Sequence, residues 1–441
     1  MNIVLLSGGS GKRLWPLSND VRSKQFIKMF HADNGELESM VQRVYRQIRA
    51  ADPDAGVTIA TSRKQVSAIH NQLGERVSVC VEPTRRDTFP AIALAASFLR
   101  DEKNVALDET VIVCPVDPYV DNSYFACFRE LDAMVQKGDR RLNLMGVEPT
   151  YPSEKYGYII PETADHVSAV RAFKEKPDQQ TATQYLMQGA LWNCGVFAFR
   201  LGYVLDRAHE LLHFTDYQDL YAHYGECQKI SFDYAVGEHE TSTGVVRYAG
   251  QWKDIGSWNT FAEEMHDPII GNAQMDDTSE NSNIVNELNI PILGMGLKNM
   301  IVAASNDGIL VAEKTQSSYI KPYAEQMTQQ IMYAEKSWGS FTVLDVQPQA
   351  LTIRIVLLPQ HQLHYHSHEH RDEVWTVMSG TGVAVINGKR RDVGMGDVIW
   401  IPAGTRHTVI ASSELRIIEV QVGKDITVED KVKYPQPDDI R

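Results

Sequence analysis

The sequence predicts an α/β fold in residues 1–265, a short β-rich connecting segment in 266–330 and an all-β domain in 331–441. Three patterns support this division. Short apolar runs alternate with amphipathic stretches in the first part, turn residues separate short strands in the second, and apolar and polar residues alternate in the third. With 441 residues, the chain is also too long for one ordinary core.

The first part begins with an apolar strand, residues 2–6, that stops at a glycine-rich stretch. Further strands are predicted at 57–60, 77–81, 110–114, 142–147 and 195–199, with helices between them. One of these helices, 91–99, follows Pro90, a residue suited to a first helical turn. The alternation predicts a largely parallel sheet, which binds ligands beyond the carboxyl ends of its strands.

The glycine-rich stretch reads GGSGKRLWPLS at 8–18 and is followed by KQF at 24–26. Its glycines allow backbone N–H groups to face an anion, and Arg13 and Lys24 would add positive charge. The glycine spacing is that of neither a Walker loop nor a dinucleotide fingerprint. The glycines alone therefore fit a phosphate cradle and a plain tight turn equally well.

The combination of these two motifs resembles the signature of the sugar-1-phosphate nucleotidyltransferases, most closely the mannose-1-phosphate guanylyltransferases, although Ser23 replaces a family proline. The resemblance implies a Rossmann-like nucleotidyltransferase domain that uses Mg²⁺, GTP and a sugar 1-phosphate. It implies that the nucleotide is bound by Leu6, Gly8, Gly9, Ser10, Gly11, Glu82 and Arg86.

Two aspartates match the family's magnesium ligands. Asp117 lies in CPVDPYV, beyond the end of an apolar strand, and Asp254 lies in WKDIGSW. A single aspartate at such a position is more often a helix cap, but the resemblance implies that both carboxylates bind Mg²⁺. Together with Arg13 and Lys24 they form the implied catalytic set.

The segment EPTRRDTFPAI at 82–92 follows a predicted strand. By spacing alone it is a surface loop with a helix cap at Thr88. It also resembles the family's nucleotide-site segment, in which Asp87 replaces asparagine.

Four later segments, KYGYI, FKEKP, WNCGVF and FDYAV, follow in the family's order. Each is weak alone, since a sequence such as EKP is usually a charged turn. The resemblance implies that Tyr158, Glu175, Lys176 and Asn193 bind the sugar phosphate. For residues 266–330, a long linker is improbable inside a compact chain, and the resemblance implies a short β-helix-like segment.

In the all-β part, histidines at 364, 366, 368 and 370 would share one face of a strand. Such a cluster can be accidental or a pH-sensitive patch. However, the spacings of His366, His368, Glu373 and His407 resemble the two cupin motifs. These side chains suit a divalent transition metal such as Zn, Mn, Fe, Co or Ni.

This cupin resembles the type II phosphomannose isomerase domain of bifunctional family members. His366 stands in place of a family glutamine, and Lys336 and Tyr434 in place of arginines. Neither replacement offers arginine's planar two-pronged grip on a phosphate. Three hypotheses therefore stay open. The chain is a transferase whose cupin is vestigial, regulatory or structural, a bifunctional enzyme that also interconverts fructose 6-phosphate and mannose 6-phosphate, or a non-catalytic metal-binding sensor of sugars or nucleotides.

Composition restricts the partners. The formal charge of −14 argues against nucleic-acid binding, which depends on basic surface. No apolar run approaches the roughly 18 residues of a membrane span, so we expect a cytoplasmic protein. We also expect a homodimer, because a β-helix and a cupin both offer strand edges suited to dimer contacts. Five cysteines without a CxxC pair indicate reduced thiols. Base and sugar remain open, and a related hexose or heptose 1-phosphate is an alternative substrate.

Overall fold

A computed structural model describes residues 1–9, 12–19, 21–32, 34–327, 331–424, 426–427 and 429–435. By its internal contacts, the chain forms two compact units. The first combines residues 1–11 with 23–266, and the second combines residues 12–22 with 267–441. The division of the chain at 265 and 330 stays a prediction.

The first unit contains thirteen strands among its described residues, two of which form only a short hairpin. In chain order they are Asn2–Leu6 (β1), Phe30–His31 (β2), Leu37–Glu38 (β3), Gly56–Ser62 (β4), Ser78–Glu82 (β5), Thr110–Pro115 (β6), Pro118–Val120 (β7), Leu142–Val147 (β8), Tyr158–Pro161 (β9), Val167–Lys174 (β10), Leu191–Arg200 (β11), Thr243–Tyr248 (β12) and Trp252–Asp254 (β13). Its α-helices are Met40–Ala51 (α1), Val66–Leu73 (α2), Thr88–Asp101 (α3), Ser123–Lys137 (α4), Gln179–Met187 (α5), Leu201–Leu212 (α6), Tyr217–His223 (α7) and Trp258–Glu263 (α8).

Nine of these strands form one sheet, in the order β5-β4-β1-β6-β11-β8-β12-β10-β9. Seven of its nine strands run in one direction, as expected for a largely parallel sheet, and β10 and β11 run in the other. β5, β4, β1 and β6 are parallel to one another and β12 is parallel to β8, but β11 is antiparallel to both β6 and β8. Apolar runs predict strands but do not encode their direction, so the sequence did not reveal this reversal.

Helix α3 begins at Thr88, three residues before the predicted start. Its cap is Asp87 rather than Thr88, because the Asp87 side chain accepts a hydrogen bond from the Thr88 N–H at 2.8 Å. Pro90 fits within the first turn, where its missing N–H has no helical partner to lose. The helix is then buried through an alanine-rich run, 93–96, which packs in the main core.

The second unit begins with a coil of stacked short strands. They are Ile269–Gly271 (β14), Ala273–Met275 (β15), Asn283–Asn286 (β16), Ile292–Gly294 (β17), Met300–Ser305 (β18) and Gly308–Glu313 (β19), followed by helix Lys321–Gln326 (α9). β14, β16 and β18 pair in parallel, as do β15 and β17, with 15 to 19 residues per coil. This is the β-helix-like arrangement, with coils of uneven length.

Residues 12–22 pack against this coil. The Ser305 hydroxyl donates to the Pro16 carbonyl at 2.7 Å, and Asn19 Nδ2 donates to Asp307 at 2.7 Å. Arg22 forms a 2.7 Å ion pair with Glu287. The stretch that follows the glycine loop is therefore anchored by the connecting segment.

The all-β part forms two facing antiparallel sheets. Its strands are Tyr333–Lys336 (β20), Gly339–Gln347 (β21), Ala350–Leu357 (β22), His366–Ser367 (β23), Arg371–Ser379 (β24), Thr381–Ile386 (β25), Lys389–Gly394 (β26), Val398–Ile401 (β27), His407–Ala411 (β28), Leu415–Gly423 (β29) and Val432–Lys433 (β30). The sheet orders are β20-β21-β22-β29-β24-β27 and β26-β25-β28-β23-β30. An apolar cluster that includes Trp375 and Ile417 forms the core of this part.

The predicted four-histidine strand is wrong. The strand at this position, β23, contains only two residues, and His364 and His370 are exposed. All five cysteines carry free thiols, as expected. None of the helices in the described ranges has the length and apolar character needed to cross a membrane.

Candidate functional site

Three of the predicted catalytic side chains meet at one edge of the first unit. Asp117 follows β6, and β7 pairs with β13 so that Asp254 lies opposite Pro118. Lys24 reaches both carboxylates, with Nζ 2.8 Å from Asp117 Oδ2 and 4.0 Å from Asp254 Oδ1. Its Nζ also donates to the Ile255 carbonyl at 2.9 Å. The pairing of two short strands thus brings together residues that are far apart in the sequence.

This cluster can hold a divalent cation. Both aspartate side chains are about 40% exposed, and both lie within reach of one positive charge. Carboxylate oxygens that leave room for other ligands are typical of Mg²⁺ sites that also bind phosphates. The residues present therefore fit Mg²⁺.

The glycine loop lies beside a second basic residue that the sequence did not single out. The Gly9 carbonyl accepts hydrogen bonds from Ser23 Oγ at 3.2 Å and from Arg85 Nη2 at 3.1 Å. Gly8 and Gly9 are exposed, as a phosphate cradle requires. Leu6 ends β1, whereas the predicted contacts of Ser10 and Gly11 lie outside the described residues.

Arg13 lies in the other compact unit. It is exposed on the 3₁₀ turn Lys12–Leu14, which belongs with residues 267–441 by its contacts. Its place in the catalytic set stays a prediction.

At the end of β5, Glu82 is buried next to the loop. An atom added as Cβ to Gly8 would lie 3.7 Å from Glu82 Oε1. Burial raises the pKa of Glu82, although Tyr224 donates a hydrogen bond to Oε2 at 2.9 Å. Arg86 donates to the Gly225 carbonyl, so in this structure Arg85 rather than Arg86 contacts the glycine loop. The two adjacent arginines are indistinguishable from the sequence.

A second polar cluster contains three of the predicted sugar-phosphate residues. Lys176 Nζ lies 2.6 Å from Glu175 Oε1, in a turn where Lys176 has a φ of +43°. A left-handed conformation is uncommon for lysine and is often found at functional sites. Partial burial opposes the charge on Lys176, but its pKa is raised by Glu175.

Asn193 joins this cluster through Asp233, a residue outside the predicted set. Asn193 Nδ2 donates to Asp233 Oδ1 at 2.6 Å. Burial, followed by the negative charge of Glu175, raises the pKa of Asp233 to about 6. The FDYAV motif contained Asp233, but its spacing gives no sign that this carboxylate reaches Asn193.

Tyr158 does not fit its predicted role as a sugar ligand. Its side chain is fully buried, and its hydroxyl donates to the Ser153 carbonyl at 3.0 Å and accepts from Trp192 Nε1 at 3.2 Å. All four residues of β9 are buried. Its neighbour Tyr156 instead packs against Trp192 and Trp252, with ring centroids 4.9 and 5.3 Å apart.

The second unit contains four buried side chains whose ligating atoms lie within 4.8 Å of one another: His366, His368, Glu373 and His407. Each histidine directs Nδ1 to a backbone carbonyl, at 2.6, 2.6 and 2.9 Å respectively. With Nδ1 as the donor, each Nε2 carries the lone pair that a metal requires.

Two atoms of this group have unfilled hydrogen-bonding capacity. Glu373 Oε2 and His407 Nε2 are 3.2 Å apart, but neither makes a well-aligned hydrogen bond within the described part of the chain. Leaving such buried groups unsatisfied is costly unless a ligand completes them. The three imidazoles and one carboxylate therefore fit a divalent transition metal.

Several titratable groups with shifted pKa values lie in or near this centre. Burial alone would raise the pKa of Glu373, but His368 and His407, when protonated on Nε2, hold it well below its usual range. Burial and the charge of Glu373 raise the pKa of Glu419 to about 8. Glu419 accepts a hydrogen bond from Trp375 Nε1 at 3.0 Å. Burial lowers the pKa of the neighbouring Lys431.

Comparisons with known proteins find matches to both parts of the chain. Residues 2–268 match the nucleotidyl transferase family, and residues 323–436 match the mannose-6-phosphate isomerase C-terminal family. Similar proteins include mannose-1-phosphate guanylyltransferase ManC of Salmonella typhimurium, 28% identical over 98% of this chain and 96% of that protein. Another is the mannose-1-phosphate guanylyltransferase of Escherichia coli K12, 28% identical over 98% of this chain and 97% of that protein.

Among solved structures, that of a mannose-1-phosphate geranyltransferase from Thermus thermophilus is similar with a TM-score of 0.61 at 24% identity. The likeness covers 74% of this chain and 99% of that one, and at this identity it shows a shared fold. The family match at residues 2–268 spans more than half of the chain and includes the glycine loop, Asp117 and Asp254. The protein therefore belongs to the nucleotidyl transferase family.

Proposed function

We propose that the protein is a mannose-1-phosphate guanylyltransferase, which forms GDP-mannose and pyrophosphate from GTP and mannose 1-phosphate. The observation that carries this proposal is the approach of Lys24 to Asp117 and Asp254 beyond the end of β6. The full-length similarity to proteins named for this activity supports the choice of substrates.

In the proposed reaction, a phosphate oxygen of mannose 1-phosphate attacks the α-phosphorus of GTP. The bond from that phosphorus to the β-phosphate oxygen breaks, and pyrophosphate leaves on the opposite side. The attacking group is already an anion, so the protein supplies no nucleophile or base. Catalysis then consists of positioning and charge stabilisation.

We assign Asp117 and Asp254 to holding Mg²⁺, which when bound neutralises phosphate charge. Lys24, Arg13 and the backbone of the glycine loop would stabilise the triphosphate and the leaving pyrophosphate. Arg85 joins this set because it reaches the Gly9 carbonyl. Glu82 would face the nucleotide.

The sugar phosphate would occupy the second polar cluster. Lys176 carries the positive charge for its phosphate, and Glu175 and Asn193 offer hydrogen-bonding atoms for hydroxyl groups. We assign Tyr158 a structural role next to this cluster, because its hydroxyl is already hydrogen-bonded within the protein.

A matrix of four nucleoside triphosphates against several hexose and heptose 1-phosphates tests this function, with release of pyrophosphate as the readout. We expect the highest kcat/KM for GTP with mannose 1-phosphate. A higher value for another pair would keep the reaction class but change the substrate, and no turnover with any pair would support the sensor hypothesis.

Two observations favour a second activity: the four candidate metal ligands of the cupin lie within 4.8 Å of one another, and two groups with shifted pKa values, Glu419 and Lys431, lie nearby. Interconversion of fructose 6-phosphate and mannose 6-phosphate needs a proton transfer next to a carbonyl, which such groups can carry out. A coupled isomerase assay on protein loaded separately with Zn, Mn, Fe, Co or Ni tests this activity. Sedimentation velocity on the same sample tests the expected homodimer.

A further inference from the structure

Both ends of the Asn193 carboxamide are fixed by the protein. Nδ2 donates to Asp233 Oδ1 at 2.6 Å, and Oδ1 accepts from the Gly195 N–H at 3.1 Å. A carboxamide has two N–H donors and two oxygen lone pairs. These two bonds therefore set the orientation of the amide and leave one donor and one acceptor for other partners.

The backbone on both sides of this pair is irregular. β11 loses its register with β8 after Asn193, and Gly195 has a φ of +76°. Asp233 begins a π-helical turn, Asp233–Gly237. Such turns are rare in proteins and frequently occur at functional sites. Two unusual backbone segments thus bring one aspartate and one asparagine together.

The charged groups around Asp233 belong to the proposed sugar-phosphate cluster. Glu175 and Lys176 interact with it from the turn after β10, and the carboxylate of Glu238, at the end of the π-helical turn, accepts a hydrogen bond from the Glu175 N–H at 3.1 Å. Lys176 pairs with Glu175 at 2.6 Å. Asp233 therefore contacts Asn193 directly and lies in the same electrostatic environment as Lys176.

We propose that Asp233 is a positioning residue for the sugar phosphate: it accepts the Asn193 Nδ2 hydrogen and so holds the amide in the orientation that binds a hydroxyl of the sugar. This inference rests on the proposed function. It assigns Asp233 no contact with the nucleotide and no part in the chemical step.

Steady-state kinetics of Asp233→Ala and Asp233→Asn test this inference, with Asp108→Asn as the control, since Asp108 is exposed. Asp233→Ala should raise KM for mannose 1-phosphate about tenfold, the effect of losing one charge-assisted hydrogen bond. Its kcat and its KM for GTP should stay within about threefold of wild type. Asp233→Asn keeps a carbonyl acceptor and should recover most of the affinity.

A double-mutant cycle shows whether Asp233 acts through Asn193. Asn193→Ala and the combination with Asp233→Ala should raise KM by similar factors, because the second change removes nothing further. The proposal would be overturned if the KM increases of the two single variants multiplied in the double variant. An unchanged KM in Asp233→Ala, or an equal rise in its KM for GTP, would overturn it as well.

Equilibrium binding of mannose 1-phosphate separates this inference from the proposed function. If wild type binds this ligand but releases no pyrophosphate with GTP, the proposed reaction fails. The inference then requires about tenfold weaker binding by Asp233→Ala. Equal binding by both proteins, or no binding by wild type, would overturn it.

Discussion

The two aspartates next to Lys24 are the residues on which the proposed transfer reaction depends most. Asp117→Ala should lower turnover roughly a hundredfold or more, the scale of losing one electrostatic stabiliser, and Arg13→Ala should have an effect of the same size. Pyrophosphate release at saturating substrates measures both, with Asp108→Ala as the control. Wild-type turnover in either variant would remove that residue from the mechanism.

Asp233 should also affect stability, with a sign set by its raised pKa. The folded protein keeps this proton up to about pH 6, whereas an unfolded aspartate loses it near pH 4. Folding stability from this group is therefore present below pH 4 and lost as the pH rises through 6. Asp233→Asn removes the cost of ionising a buried carboxyl group next to Glu175, so the variant should be more stable than wild type at pH 8.

Thermal unfolding of wild type and Asp233→Asn at pH 4 and pH 8 measures this effect, which is on the order of 3 kcal/mol at pH 8. The difference should disappear at pH 4. A variant that is less stable than wild type at pH 8 would contradict the environment assigned to Asp233.

In the cupin, Glu373→Gln should reduce metal content. A neutral carboxamide is a weaker ligand than a carboxylate, and three neutral histidines provide no negative charge to balance that of the metal ion. Elemental analysis of purified protein measures the change, with the exposed Glu414→Gln as the control. Metal at 100 times Kd should stabilise wild type by about 2.7 kcal/mol and the variant by less. Equal metal content in both proteins would exclude Glu373 as a ligand.

At the scale of elements, the approach of β9 to the turn after β10 depends on a glycine. A Cβ added to Gly157 would overlap Oε2 of Glu175 and lie 3.3 Å from Asn193 Cβ. Gly157→Ala should therefore displace Glu175 and raise KM for mannose 1-phosphate several-fold. Gly394→Ala, whose added methyl group meets no atom within 4 Å, is the control. An unchanged KM would place the sugar phosphate elsewhere.

The strands and the glycine loop could be predicted because they depend on local patterns. β1 and β8 match their predicted ranges, and Asp117 was placed beyond β6 by its position after an apolar run. The reversal of β11 could not be predicted, because direction in a sheet is set by non-local pairing. For the same reason, the contacts of Arg85 with Gly9 and of Asp233 with Asn193 have no local signal.

At the scale of the molecule, residues 12–22 connect the glycine loop to the second unit. Leu14 and Leu17 are buried there, and the hydrogen bonds from Ser305 to Pro16 and from Asn19 to Asp307 hold the segment on the coil. A protein truncated after residue 266 lacks Ser305 and Asp307, whereas one truncated after residue 327 retains both. We expect at least tenfold lower transfer activity in the first truncation and activity within a few-fold of wild type in the second.

Pyrophosphate release and thermal unfolding of the two truncated chains measure this dependence. Full activity in the chain ended at 266 would show that the coil is not needed to hold residues 12–22. Loss of activity in both chains would show that the transferase depends on the cupin as well.

In the proposed reaction, the cluster of Lys24, Asp117 and Asp254 transfers the guanylyl group of GTP to mannose 1-phosphate in one step. ³¹P NMR of the protein with GTP, mannose 1-phosphate and Mg²⁺ tests it most directly, because substrates and products are seen together. We predict that GDP-mannose and pyrophosphate appear in equal amounts, and only when both substrates and Mg²⁺ are present. Hydrolysis of GTP without the sugar phosphate, or an unchanged spectrum with all components, would contradict the account.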